Sequence, residues 1–323
     1  MKAIFPIFGL LSAAVIIAFA LAPARHQPPP AAPAAQAASP NNKAPAPAGD
    51  NVVVLMFHDV SSDTGYPPDE HRPGRDPAIE TPQELAGQLL ALIQNGYHVI
   101  SLDTFHRFLR GQAAVPPKAV LLTFDDGYEG TYTYVTPLLE KYHLTATCFM
   151  ITGWWDPAAH MQSYWHYLTL PQARSMLASG VWSFGGHTFN GHYRIPAGSG
   201  GQTGWFYDTP EYLSDEHRME TTAEYEQRVL SDAMKMTGEL RAAGVTSPVD
   251  FAWPSGHAAP AAKRILINLG YRYFYTMTAG VNRPDPAADS WDVYRVYPGY
   301  SAAAMLSAIR AVEKGPGTAR GGS

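Results

Sequence analysis

One cysteine, Cys148, stands in 323 residues. No disulfide can form within the chain, so its fold is held by a core rather than by cross-links. Cys148 lies in the apolar run T-A-T-C-F-M-I, and nothing nearby marks it as an activated nucleophile, so a small buried residue is expected. Charge is also scarce: 16% of residues are charged and the formal net charge is -5. There is no basic patch with interleaved aromatics, which argues against a nucleic-acid partner. No internal repeat is visible.

The first residues carry no charge between Lys2 and Arg25. The apolar run over 3–22 suits an export signal, with Ala18-Phe19-Ala20 as a small-x-small cleavage site. The run is long for a signal, so an uncleaved membrane anchor is the alternative for residues 1–22. Residues 23–50 are mostly Ala, Pro, Gln and Asn, too poor in large apolar side chains to build a core. They read as a tether, which puts the folded part outside the cytoplasmic membrane, periplasmic or extracellular. Roughly 270 residues then remain, enough for one large domain. We place that domain at 51–315 and a Gly-rich flexible tail at 316–323.

Within the domain, strand and helix patterns alternate. Apolar runs at Asn51–Val60, Ala119–Phe124 and Ala146–Ile151 suit strands buried on both faces. Shorter strands are expected at Tyr97–Ser101, in V-W-S-F-G-G, and at Val249–Trp253, Tyr271–Met277 and Val293–Tyr297. Helical spacing predicts Pro82–Asn95, with Thr81 as N-cap, and Thr104–Arg110, Tyr132–Tyr142 and Pro171–Ser179. It also predicts Thr221–Ala243, where Thr221 and Glu224 have capping-box spacing, then Ala259–Leu269 and Ala302–Val312. Alternation of this kind implies an α/β fold with a mostly parallel sheet, and seven or eight units in one domain point to an irregular barrel. Two long loops, Ser61–Glu80 and Tyr193–Glu220, exceed what connection requires.

The chemistry concentrates at two places. A-V-L-L-T-F-D-D-G ends an apolar strand in adjacent carboxylates, Asp125 and Asp126. A D-G hairpin would explain the pair, but the following residues read as a helix rather than a return strand. Side chains diverge at a strand end, so one acid can hold a metal while the other faces a substrate. Sixty residues on, G-G-H-T-F-N-G-H supplies His187 and His192. Five residues on a helix would separate them by about 140°, and the glycines argue against a helix. A strand end followed by a turn would bring both imidazoles to one ion. Two histidines and a carboxylate suit zinc, with nickel, cobalt and iron as alternatives.

T-F-D-D-G followed by H-T-x-x-x-H resembles the polysaccharide deacetylases of carbohydrate esterase family 4. The likeness covers most of the span from Asn51 to Val312. It implies a distorted (β/α)7-8 barrel and metal-dependent removal of acetyl groups from sugars. By that resemblance Asp126, His187 and His192 are the metal ligands and Asp125 the general base. A further family motif appears as F-A-W-P-S-G, Phe251 to Gly256, without its usual arginine and with Ser255 in place of a tyrosine. The backbone N–H of Ser255 would still serve the oxyanion. No histidine follows His257, but the first strand ends in M-F-H-D-V. That resembles the circularly permuted branch, whose members include exported poly-β-1,6-N-acetylglucosamine deacetylases, and it makes His58 the general acid. Arg295, in V-Y-R-V-Y, is the candidate to orient Asp125 in place of the missing arginine. Trp253, Trp205 and Tyr128 are candidates to bind the sugar, since flat apolar ring faces suit aromatic platforms.

The resulting expectation is an exported, monomeric polysaccharide N-deacetylase, with or without a membrane tether, and poly-N-acetylglucosamine as preferred substrate. Peptidoglycan, chitin oligomers and O-acetylated glycans are the alternative substrates. A catalytically inactive glycan-binding domain and a hydrolase of non-sugar amides or esters are the rival readings.

Overall fold

The computed structural model describes residues 48–62, 78–156 and 166–315. The expected export segment, most of the expected tether, the middle of the Ser61–Glu80 loop, residues 157–165 and the tail at 316–323 lie outside the described residues. Among the described residues, no helix is long and apolar enough to cross a membrane.

The central sheet holds β1 (Val52–Phe57), β2 (His98–Val99), β3 (Ala119–Phe124), β4 (Ala146–Ile151), β5 (Trp182–Thr188), β6 (Asp250–Ala252), β7 (Tyr273–Tyr275) and β8 (Trp291–Val293). Its order is β1-β3-β4-β5-β6-β7-β8, with β2 added against the start of β3, and every pairing is parallel. The chain beyond β8 returns to β1 through a single bridge, Leu55 to Val296, and Asn282 in the β7–β8 connection bridges to Val52, so the sheet is a nearly closed barrel. Around it lie α1 (Pro82–Gln94), α2 (Leu102–Leu109), α3 (Thr136–Tyr142), α4 (Leu170–Ser179), α5 (Thr222–Ala243), α6 (Pro260–Asn268) and α7 (Ala302–Lys314).

All six residues of β1, of β3 and of β4 are buried, as continuous apolar runs require. Alternate side chains divide between two cores. Val53, Leu55, Val120 and Leu122 join the larger cluster with the surrounding helices. Val52, Val54, Leu121 and Phe149 join the other, together with Phe105 and Phe108 of α2. Since β2 and α2 meet the sheet at the N-terminal ends of its strands, α2 plugs that end. The C-terminal ends are left for a site, as in other parallel barrels. His106 of α2 fastens the plug, its Nε2 lying 2.7 Å from Asp250 Oδ1.

Capping follows the sequence closely. Thr81 with Glu84 and Thr221 with Glu224 form reciprocal capping boxes, and Gly244 ends α5 at φ +119°. Two expectations need correction. The helix after the D-D-G turn opens with a π-helical turn at Thr131–Val135, and α-geometry begins only at Thr136. The last strand is Trp291–Val293 rather than Val293–Tyr297, because Tyr294 N–H turns to the Asn282 side chain and Val296 pairs with β1.

Candidate active site and metal centre

Asp125 and Asp126 follow directly on the last residue of β3. Asp125 N–H still donates to Phe57 O, 2.9 Å, which prolongs the β1 ladder by one bond. The backbone then turns sharply, with Asp126 at φ 71° and Gly127 at φ 79°. Aspartate tolerates the left-handed region better than most residues, and the turn sends the two carboxylates apart.

Asp125 is 3% exposed and Arg295 1%. The Arg295 guanidinium donates Nη1–H to Oδ1 at 2.6 Å and Nη2–H to Oδ2 at 2.9 Å. Its Nε–H donates to Thr276 O, which fixes the plane of the fork. Burial pushes the Asp125 carboxyl up, but the Arg295 charge, helped by His187, outweighs it and holds the group below the usual carboxylate range.

Asp126, His187 and His192 converge, with one donor atom from each lying within 4.8 Å of the others. Asp126 Oδ1 is 3.2 Å from His187 Nε2 and 3.6 Å from His192 Nε2. His187 Nδ1 is 2.7 Å from Ala252 O, and a carbonyl only accepts, so the proton sits on Nδ1 and the Nε2 lone pair faces Asp126. Asp126 Oδ1 is buried without a hydrogen-bond partner. Lone pairs facing one another in a buried place are unfavourable unless a cation lies between them. Tetrahedral ligands at about 2.0–2.2 Å from zinc lie roughly 3.3–3.5 Å apart, which matches these spacings. The residues therefore fit a divalent metal.

A bulge aims the first histidine. In the β4–β5 pairing Met150 faces Gly186 and Ile151 faces Thr188, so His187 is the extra residue between them. Bulges re-aim side chains in this way beside active sites. Burial pushes both imidazoles toward neutrality; the negative charge of Asp126 and Asp125 beside it reverses this for His187, while His192 stays below its usual value.

His58 follows β1 and is half-buried, with Nδ1 enclosed and unpartnered. It lies near enough to Asp125 and Asp126 to act electrostatically on both. Ser255 lies in the turn after β6 at φ 51°, ψ 22°, an uncommon conformation for a residue with a side chain. Trp205 ends a short hairpin of Arg194–Pro196 and Thr203–Trp205, is half-buried, and its ring centroid lies 6.1 Å from that of His192. Tyr128 is 7% exposed and stacks on Tyr167 at 5.0 Å, beside Asp126.

Trp253 requires a correction. It is 1% exposed and packs against Phe251 and Phe274, so neither ring face is open to a sugar. The ring belongs to the helix-side core. Two further residues meet here, of which Asp232 was not anticipated from sequence. Trp154 lies 6.4 Å from His192, with its indole N–H donating to Asn190 Oδ1. Asp232 of α5 contacts the turn between the two histidines. Its signal was an acid within the buried stripe of an amphipathic helix.

Solved structures share this architecture. A de-N-acetylase from Aggregatibacter actinomycetemcomitans superposes with a TM-score of 0.69 at 24% identity, covering 81% of this chain and 100% of the other. The BpsB deacetylase domain from Bordetella bronchiseptica gives 0.64 at 26% identity, covering 78% and 97%. Among curated proteins, the poly-β-1,6-N-acetyl-D-glucosamine N-deacetylase of Escherichia coli K12 is 34% identical over 237 residues, 71% of this chain and 34% of that protein. The chain thus matches about a third of the length of this relative. The polysaccharide deacetylase family model matches residues 112–274, which include the D-D-G strand end, both histidines and the W-P-S-G turn. With half its length accounted for in this way, the chain belongs to the polysaccharide deacetylase family.

Proposed function

We propose that the protein is an N-deacetylase of an extracytoplasmic polysaccharide, with poly-N-acetylglucosamine as its substrate. The observation that carries this reading is the clamped Asp125–Arg295 pair set beside the converging Asp126, His187 and His192. A base held ionised next to a hydrolytic metal group suits amide hydrolysis, whereas a pure glycan binder has no use for it. The name of the Escherichia coli relative supports the polymer, and the apolar run over 3–22 supports export.

A divalent metal held by Asp126, His187 and His192, zinc in our reading, supplies a Lewis acid and an acidified water. The remaining work falls to the protein. Asp125 accepts the proton of the attacking water, and Arg295 keeps its carboxylate charged and oriented. The Ser255 N–H donates to the oxygen on which negative charge develops. His58, protonated, donates to the departing nitrogen, because an amine leaves poorly without a proton. The products are acetate and a free amino sugar. Trp205 supplies an apolar wall for the sugar ring.

The test is acetate release from N-acetylglucosamine oligomers of different linkage, by a soluble chain beginning at Asn51. Release that is lost with chelator, restored by zinc and abolished by Asp125→Asn is the expected result. A zinc-loaded protein that releases acetate from none of the oligomers would refute the reading.

A further inference from the structure

His187 belongs to a barrel strand, but His192 does not. The position of His192 therefore depends on how the intervening stretch, Thr188 to Gly191, is made to turn. That turn is held from outside the barrel. Phe189 N–H donates to Asp232 Oδ1 at 2.9 Å and Asn190 N–H to Asp232 Oδ2 at 2.8 Å. Tyr207 OH donates to the same Oδ1 at 2.7 Å. Gly191 N–H donates to Thr188 Oγ1, and Gly153 N–H donates to Phe189 O.

Asp232 is 7% exposed. It occupies the buried stripe of α5 between Val229 and Met236, where an apolar residue would ordinarily pack. A carboxylate is costly in such a place unless its oxygens are occupied. Two consecutive amides and a phenol occupy them, and the two oxygens of the carboxylate serve one amide each. Asp232 is not itself one of the three converging metal donors.

We propose that Asp232 is a positioning residue for the metal group, its carboxylate fixing the Phe189–Asn190 turn so that His192 stays aimed at Asp126. This rests on the deacetylase reading only for what the metal is used for. Residues that orient metal ligands typically contribute about 10- to 100-fold in metal affinity. Asp232→Asn keeps the size of the side chain but presents an amide NH2 to one of the backbone donors. Tyr207→Phe removes one donor and leaves the two turn bonds in place.

The test measures zinc affinity directly, by competition between the metal-free protein and a chromogenic chelator, with thermal unfolding of the metal-free protein as the control for folding. Asp232→Asn should weaken zinc about tenfold or more and Tyr207→Phe less. At saturating zinc, kcat of Asp232→Asn should recover toward wild type with KM unchanged. A cooperatively folded Asp232→Asn that binds zinc as tightly as wild type overturns the proposal, as does a wild type that binds no zinc. Should Asp232→Asn fail to fold, Asp232→Glu, which keeps the charge but displaces both oxygens from the turn, decides: weaker zinc binding sustains the proposal and unchanged binding overturns it. Zinc affinity that tracks Asp232 in a protein that releases no acetate would leave this proposal standing and refute the deacetylase reading alone.

Discussion

Arg295 and Asp125, 170 residues apart in sequence, meet through two parallel hydrogen bonds with both side chains almost wholly enclosed. A fork of this kind fixes direction as well as charge. Lysine would supply the charge through a single point donor. Arg295→Lys should therefore lower kcat by about 10²-fold through misplacement of the base, with KM little changed. Arg295→Met would strand a buried carboxylate and should cost about 3–5 kcal/mol of stability. Steady-state kinetics and denaturant unfolding check the two halves.

His58 is assigned the proton for the leaving group, so its loss should depend on what leaves. His58→Gln should reduce kcat on N-acetyl oligomers by about 10²- to 10⁴-fold. Hydrolysis of an aryl acetate, whose phenolate departs without a proton, should fall far less. Parallel assays on the amide and the ester report the ratio, and equal losses would remove His58 from this role.

The two tryptophans once paired as candidates should now behave differently. Trp205→Ala should raise KM by about 2- to 10-fold, the worth of one aromatic stacking contact, with kcat nearly intact. Trp253→Ala should leave KM alone and cost about 3–5 kcal/mol, as large deletions in cores do. Oligomer kinetics beside thermal unfolding distinguishes them.

Glu220 accepts two hydrogen bonds from Arg228, which also holds Phe206 O and Thr209 O and so anchors the loop after Trp205. Burial pushes the Glu220 carboxyl up, but the Arg228 contacts outweigh it and place the group below its usual 4.5. A carboxyl lowered by folding stabilises the protein above its unfolded pKa and loses that contribution as pH falls through the folded value. The difference in Tm between wild type and Glu220→Gln should be constant above about pH 5.5 and shrink on further acidification. A difference independent of pH down to 3 would show that the pair is not what holds the loop.

Much of this could be read from sequence, for identifiable reasons. β3 and β4 were placed residue for residue because a continuous apolar run bounded by turn residues has few other uses. The N-cap of α1 and the capping box of α5 are local chemistry, and local chemistry is written in adjacent letters. The D-D-G strand end and the two histidines were visible because the site is built from short-range turns. What escaped depends on distance or on facing. The return of Val296 to β1 is a single bridge with no local signature. The enclosure of Trp253 turns on which face of the sheet follows β6, which one residue cannot reveal. Asp232 has no local signature beyond being an acid in an apolar stripe, and its partners lie 42 and 43 residues away.

The barrel closes where Val296 meets Leu55, with His58 just beyond one side of this seam and Arg295 on the other. Neither residue lies within the 112–274 stretch that the family model matches. A chain emerging from a ribosome or a translocation pore delivers His58 early and Arg295 late. Asp126, His187 and His192 all come from the middle of the chain, but the proposed acid and the oriented base coexist only after the ends have joined. On the proposed reading, catalytic competence then reports completion of the fold: a molecule clipped at either end would keep all three metal donors in its sequence and yet lack its acid or the partner of its base.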